Sequence, residues 1–464
     1  MTRPLQSKRP TLVRYQVMGF LGALSFLTYF DRVCIMRAQG DIQRDLSLTD
    51  TQMGWVLGAF WLAYGLFEIP VGWWGDRFGA RRTLTRIVLA WSLFTALSGT
   101  ATGFLSLLAM RFLFGVGEAG AYPNMARIMS RWLPQRARGR AGGFLWLMAR
   151  WGGAFSPLIF GSMLRGLSSP GFRDTLRVLP GGESLAGLPS WRMAFWASGL
   201  LGVVWVVLFY PWFRDDPADK RSVNEAELSL IRSGSAAAST SHATPPGMWG
   251  RLFLSPSLWA LALLYLCGSF GWSFFVSWMP RFLLTVHGMS FERSELANAM
   301  PLFFGGLSCL FGGWLSDVVV RRTGWRRLGR AIFPVTGCTV AAAAMLCLPL
   351  VESPRQAVVL MCVAAAAFDF GQGANWATIV DIGGRYAGTA TGFINMVGNM
   401  GHFIQPALGA MIFNAFGFSA LFVVYAGAYL TAAVMWVVID PRKTFYREQG
   451  EEVVAGGFDV VTKS

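Results

Sequence analysis

The sequence predicts an all-α polytopic membrane protein, with twelve transmembrane helices in two pseudo-symmetric halves of six. Three observations lead there. Hydrophobic residues make up 54% of the 464 and charged residues only 14%, whereas a soluble domain is about a quarter charged. The apolar residues gather into runs near the ~20 residues needed to cross the hydrocarbon core. Glycine-rich patterns in the first half return in the second. The net charge of +15 does not indicate a nucleic-acid partner, because the bases fall in short clusters between apolar runs and not along one stripe.

Taken in order, the spans fall at 17–36, 51–74, 84–101, 103–128, 141–164, 191–213, 256–283, 295–316, 331–350, 356–380, 388–415 and 418–439. The first has a clean apolar run, Val17 to Phe30, short enough for a signal-peptide core. No small-residue cleavage site follows and the run continues past Asp31-Arg32, so an uncleaved span is expected. Residues 1–213 form one half, 214–254 a cytoplasmic linker, 255–440 the second half and 441–464 a tail with no recognisable domain. The linker reads as helical around Asn224–Leu228 and flexible through Ser233–Ser241 and Pro245-Pro246. The external loop 166–190 carries no assignable role. With the N-terminus inside, and with Arg86, Arg192 and Arg281 near span ends counted with the loops beside them, inside segments hold 27 of the 40 basic residues and outside segments nine, which places both termini in the cytoplasm.

The halves echo each other at nearly constant spacing. Gly72-Trp-Trp-Gly-Asp76 returns as Gly313-Trp-Leu-Ser-Asp317, 241 residues on. Gly139-Arg-Ala-Gly-Gly-Phe144 returns as Gly388-Thr-Ala-Thr-Gly-Phe393, 249 residues on, and Pro157 falls on Pro406 at that same offset. Two similar offsets in one order argue for a duplicated six-helix unit, and such transporters hold substrate near the midplane between the halves.

Charges inside apolar spans are costly and mark ion or substrate paths. Asp31, Arg32, Arg111 and Glu118 are such charges, and both signs together suggest a site that binds an anion and handles protons. Arg111 and Glu118 are seven apart, on one helix face about 10 Å from each other; a third charge such as Arg32 or a bound anion would bridge them. Arginine stays charged and offers a planar fork to a carboxylate, so Arg32 is the preferred carboxylate ligand. Glu118, then Asp31, is the candidate proton carrier, because burial and nearby arginine pull a carboxyl in opposite directions. The competing reading is a static ion-pair network joining spans one and four. Arg150 in span five maps onto Asn399 at the 249 offset, which favours a cavity-lining role over snorkelling, whereas Arg127 is expected to snorkel to its helix end. Span ten carries Asp369, Gln372 and Trp376 on one face, and Asp369 lies two residues from the position equivalent to Glu118. Span eleven carries Thr391, Asn395, Asn399 and His402 as a polar stripe suited to an inward face. These amides suit hydroxyl groups and Trp376 or Trp272 a sugar ring; helix–helix packing is the alternative for both. A satisfied core histidine is the simpler reading of His402.

Gly75-Asp76-Arg77-Phe78-Gly79-Ala80-Arg81-Arg82, after span two, resembles the signature of the major facilitator superfamily, with a weaker Asp317…Arg321-Arg322 in the equivalent loop. Tyr29-Phe30-Asp31-Arg32, Arg111 through Glu118 to Tyr122-Pro123-Asn124, Gly271-Trp272 through Trp278-Met279-Pro280, and Asn395 to Gly401 are similar to its anion:cation symporter branch. The resemblance implies alternating access, a latch built on Asp76, Arg77 and Arg81, and a functional monomer. It also implies import of a small organic anion with a proton, in bacteria often a sugar acid, across the inner membrane. Tyr29 and Tyr64 join Arg32, Arg111, Arg150, Gln372, Trp376, Asn395 and Asn399 in the expected substrate set; Glu118, Asp31 and Asp369 form the proton set. Anion exchange, as in sugar-phosphate antiport through paired arginines, and a non-transporting membrane sensor are the rivals. No cofactor or metal is expected: the three histidines are scattered, the six cysteines lack paired spacing and no Gly-Lys-Ser/Thr nucleotide loop occurs.

Overall fold

A computed structural model of the chain describes residues 9–178, 180, 182–232, 245–289 and 291–446, and among these every regular element is a helix. The linker stretch Ser233–Ser241, expected from its composition to be flexible, and the tail beyond residue 446 lie outside the described residues. The first half comprises α1 (Val13–Leu46), α2 (Asp50–Phe78), α3 (Ala80–Ser98), α4 (Phe104–Glu118), α5 (Ala121–Trp132), α6 (Arg138–Ser168), the short α7 (Pro170–Val178) and α8 (Gly182–Ala186), and α9 (Ser190–Trp212). Two short helices follow, α10 (Glu225–Arg232) and α11 (Met248–Leu254). The second half comprises α12 (Pro256–Ser277), α13 (Met279–Thr285), α14 (Phe291–Thr323), α15 (Arg326–Cys347), α16 (Pro354–Phe370), α17 (Gln372–Gly383) and α18 (Ala387–Val434). Among the described residues, eight stretches are long and apolar enough to cross a bilayer. One of them, 354–437, holds spans ten, eleven and twelve, and α3 and α6 supply the remaining two.

Local chemistry sets the helix limits. Thr49 caps α2 with a reciprocal box: its hydroxyl accepts from Gln52 N, and the Gln52 side chain accepts from Thr49 N. Ser255 caps α12, with Pro256 at the first helical position. Glu227 of α10 accepts from Val13 N and Arg14 N, so the helical part of the linker closes the start of α1. Helices outrun several expected spans. The 34 residues of α1 reach about 50 Å, beyond the ~30 Å hydrocarbon core, because the helix runs on past the apolar span through polar Gln43 and exposed Arg44. In α18, Gly417 (φ 77°) supplies the turn between spans eleven and twelve.

Spans four and ten are each interrupted. Gly120 (φ 81°) separates α4 from α5 directly after Glu118, and Gly371 separates α16 from α17 two residues after Asp369. Each half therefore breaks a helix beside a buried acid. The halves meet chiefly where α2 packs on α18 and α6 packs on α14. Those seams need glycine: a Cβ on Gly72 would come within 2.5 Å of the Gly388 carbonyl oxygen, and one on Gly313 within 2.3 Å of that of Gly139. The repeated motifs thus pack crosswise, each on the other kind in the opposite half.

Candidate functional site

One end of the molecule is shut by two equivalent caps. Asp76, at the end of α2, accepts from Gly388 N (3.3 Å), Thr389 N (2.6 Å) and the Thr389 hydroxyl (2.7 Å) at the start of α18. Asp317, in α14, accepts from Gly139 N (3.0 Å) and Arg140 N (2.8 Å) at the start of α6. Each carboxylate satisfies orphan N–H groups of a helix in the other half and faces the positive end of its dipole. Arg127 donates to Asp76 at 2.9 Å, Arg330 to Asp317 at 2.8 Å, and Arg138 to Asp381 across the halves at 2.7 Å. This corrects the reading of Arg127: it is buried and is Asp76's partner, since the helix end it was expected to snorkel toward is covered by the other half. Arg77 and Arg81 do not bridge the halves. Arg77 is exposed over the Trp73 and Phe78 rings, and Arg81 holds the start of α3 to the Tyr210 carbonyl at the end of α9.

Beyond this closed end lie two small adjoining cavities at the centre, about 50 and 40 Å³. Tyr29, Trp146, Tyr265, Ser269 and His402 line both. The first adds Arg32, Tyr64, Asn395 and Asn399; the second adds Arg150, Gln372 and Trp272. Both volumes fall far below the ~300 Å³ at which ligand pockets begin, so this conformation is contracted around its centre. A larger cleft of about 500 Å³, rimmed by Arg14, Arg136, Arg140 and Arg321, opens at the same end as the two caps and contains none of the buried central charges.

Each cavity has one arginine, and each arginine has one carboxylate. Arg32 Nε donates to Glu118 Oε1 at 2.6 Å, with the guanidinium over the Tyr64 ring at 4.3 Å. Arg150, from α6, makes two parallel bonds of 2.7 Å to Asp369 on α16 in the other half and stacks over Trp272 at 4.4 Å. All four side chains are buried. Arg32 therefore reaches Glu118 but does not bridge it to Arg111, which is a second cation and repels the first. Glu118 Oε2 and Arg32 Nη2 have no hydrogen-bond partner among the described residues, which leaves binding capacity on both.

Other expected residues sit outside the cavity walls. Arg111 packs on the Phe60 and Phe114 rings, and Phe60 also faces Arg32, so the ring lies in contact with both cations. Asp31 is buried within electrostatic reach of Arg111; the step between adjacent helical residues separates it from Arg32. Trp376 is fully buried, its indole N–H on Met129 sulfur and its edge against Tyr122 and Trp146. Placing it on a sugar ring is therefore corrected: the close approach of α17 to α6 covers it. In span eleven Asn395, Asn399 and His402 do face the cavity, while Thr391 bonds its own helix. His402 Nδ1 meets the Ser273 hydroxyl at 2.6 Å, with the ring between Trp61 and Trp272.

Glu68 was not picked out from the sequence. It is fully buried in α2, accepts from Asn395 Nδ2 at 3.4 Å, and its other oxygen has no partner among the described residues. The criterion that selected Asp31, a charge within an apolar span, selects Glu68 equally.

Comparison with known proteins agrees with this architecture. The chain is 30% identical to a probable sulfoacetate transporter of Cupriavidus necator, over 94% of this chain and 96% of that one. It is 28% identical to a probable galactarate/D-glucarate transporter of Bacillus subtilis, over 96% of each, and 25% identical to a D-galactonate transporter of Escherichia coli, over 94% and 97%. Among solved structures, a proton:xylose symporter bound to 6-bromo-6-deoxy-D-glucose matches with a TM-score of 0.69 at 14% identity, over 93% and 97% of the chains. A human organic anion transporter matches at 0.67 and 14%, over 92% and 100%; likeness at this identity concerns the fold. Residues 21–406 match the family itself, and the chain belongs to the Major Facilitator Superfamily.

Proposed function

We propose that this protein is a secondary active transporter that imports a small organic anion with protons, the anion being a sugar acid or a similarly sized acid. The observation that carries the reading is the pairing of Arg32, on the cavity wall, with the buried Glu118 behind it. It joins a permanent cation able to fork a carboxylate to a buried acid that holds the cation in the substrate's absence. When a substrate carboxylate takes Arg32, Glu118 loses that partner in a site that penalises an uncompensated charge. Protonation removes the penalty, so anion and proton enter together. Asn395 and Asn399 face the same cavity and offer amides to hydroxyl groups, consistent with relatives named for galactarate, glucarate and galactonate. The latch end is the cytoplasmic one by its arginines, both termini are cytoplasmic, and the protein works as a monomer, in a bacterial inner membrane. Asp31 and Arg111 set the field around Glu118 from behind the cavity wall.

Alternating access follows from the same contacts. The two caps and the Arg138–Asp381 pair close the cytoplasmic end, and opening it must break all three. Exchange of one anion for another is the second reading, favoured by Arg150, which gives the cavity a second cation. Labelled galactonate offered to empty proteoliposomes under an inside-alkaline pH gradient separates the readings. Symport accumulates the label; an exchanger takes it up only against an internal anion, and a sensor takes up none.

A further inference from the structure

We infer that the preferred substrate is a short dianion, whose second anionic group takes Arg150 from Asp369 while Asp369 binds a proton. The inference rests on the transport reading above and adds the substrate's charge and the second proton site. Its first ground is geometry. The adjoining cavities share five wall residues, and each has its own arginine, Arg32 in one and Arg150 in the other. Arg150 already holds a carboxylate in two parallel 2.7 Å bonds, so its fork is oriented for that group. Between the poles the walls are uncharged: Ser269, Asn395, Asn399 and Gln372, with aromatic rings. A monoanion seated on Arg32 leaves the Arg150–Asp369 pair undisturbed; only a ligand with two anionic ends engages both.

The second ground is charge balance. The titratable groups facing Asp369 are Arg150 on α6, Cys309 on α14 and Tyr429 on α18, and the side chain of Asp369 lies against Gly305 of α14. Arg150 is the single cation among them. Once the ligand occupies Arg150, Asp369 is a buried carboxylate without a cation, which costs several kcal/mol. One proton from the medium on its carboxylate neutralises it. The ligand's extra negative charge is then matched by one extra proton. The helix break at Gly371, two residues on, gives Asp369 a local joint at which to withdraw.

Galactarate and galactonate share a six-carbon polyol chain and differ by one terminal carboxylate, so they isolate the second pole. Calorimetric titration of the purified full chain, in buffers of differing ionisation enthalpy, counts protons taken up per ligand bound. Galactarate should bind more tightly and take up one proton more than galactonate. Sulfoacetate, whose sulfonate binds no proton near neutral pH, should match galactarate in proton count, placing the proton on the protein. In Asp369→Asn the one-proton difference should vanish. In Arg150→Lys, which keeps the charge and loses the fork, the galactarate-to-galactonate affinity ratio should fall roughly 10- to 100-fold. Galactonate binding as tightly as galactarate to the wild type, an intact proton difference in Asp369→Asn, or an unchanged ratio in Arg150→Lys overturns the dianion inference while leaving anion transport standing. Failure of all three ligands to bind overturns both.

Discussion

Arg32 is where one side chain decides most. Its fork reaches Glu118 at 2.6 Å and lies over Tyr64, so Arg32→Lys keeps the charge and loses planar recognition. Substrate affinity should fall roughly 10- to 100-fold, the equivalent of one charge-assisted hydrogen bond, with the melting temperature nearly unchanged; wild-type affinity would move the carboxylate site elsewhere. Asn395 tests the hydroxyl contact. Asn395→Ala should weaken galactonate more than a plain carboxylate of similar size, because only the former loses a partner, and equal losses would assign Asn395 to helix packing. Arg32, Glu118, Arg150 and Asp369 were legible in the sequence because a charge in an apolar run is conspicuous. Their pairing was only half legible: Arg32 was one of two charges considered beside Glu118, but the Arg150–Asp369 pair joins residues 219 apart in different halves. Trp376 misled because facing the interior of the molecule is not the same as facing its cavity.

Helices place these residues by where they stop. Breaks at Gly120 and Gly371 leave Glu118 and Asp369 beside interrupted segments, and Asp76 and Asp317 cap the starts of α18 and α6 from across the interface. The offsets of 241 and 249 residues made the duplication readable. That the two motifs pack crosswise was not readable, because a repeat records descent and not contact. Gly72 tests the seam. A Cβ there would lie 2.5 Å from the Gly388 carbonyl oxygen, closer than packing allows, so Gly72→Ala should hold the latch end apart. With native cysteines replaced, a cysteine at buried Ala390 should react with a bulky maleimide faster in the Gly72→Ala background. An unchanged rate would mean that the seam absorbs the methyl without opening.

The whole molecule is a pair of six-helix bodies that share one closed end and one charged centre. Asp76→Asn removes a charge shared by Arg127 and the α18 helix end and leaves Arg127 buried without its partner. That costs the closed arrangement about 3–5 kcal/mol and moves the population toward the state open at that end. Transport rate should change far more than substrate affinity, measured by uptake and by equilibrium binding on one preparation; equal losses would count against a latch. The twelve spans and the two halves were visible at this scale from hydropathy and repeats alone. The contracted cavity was not, because its volume depends on how far the halves close. The central claim, that a buried acid released from arginine carries the proton, is tested most directly by Glu118→Gln in proteoliposomes. The variant, fixed in a neutral form, should bind substrate and exchange labelled for unlabelled anion across the membrane, yet fail to concentrate it under an imposed pH gradient. Accumulation at the wild-type level by Glu118→Gln would contradict the account.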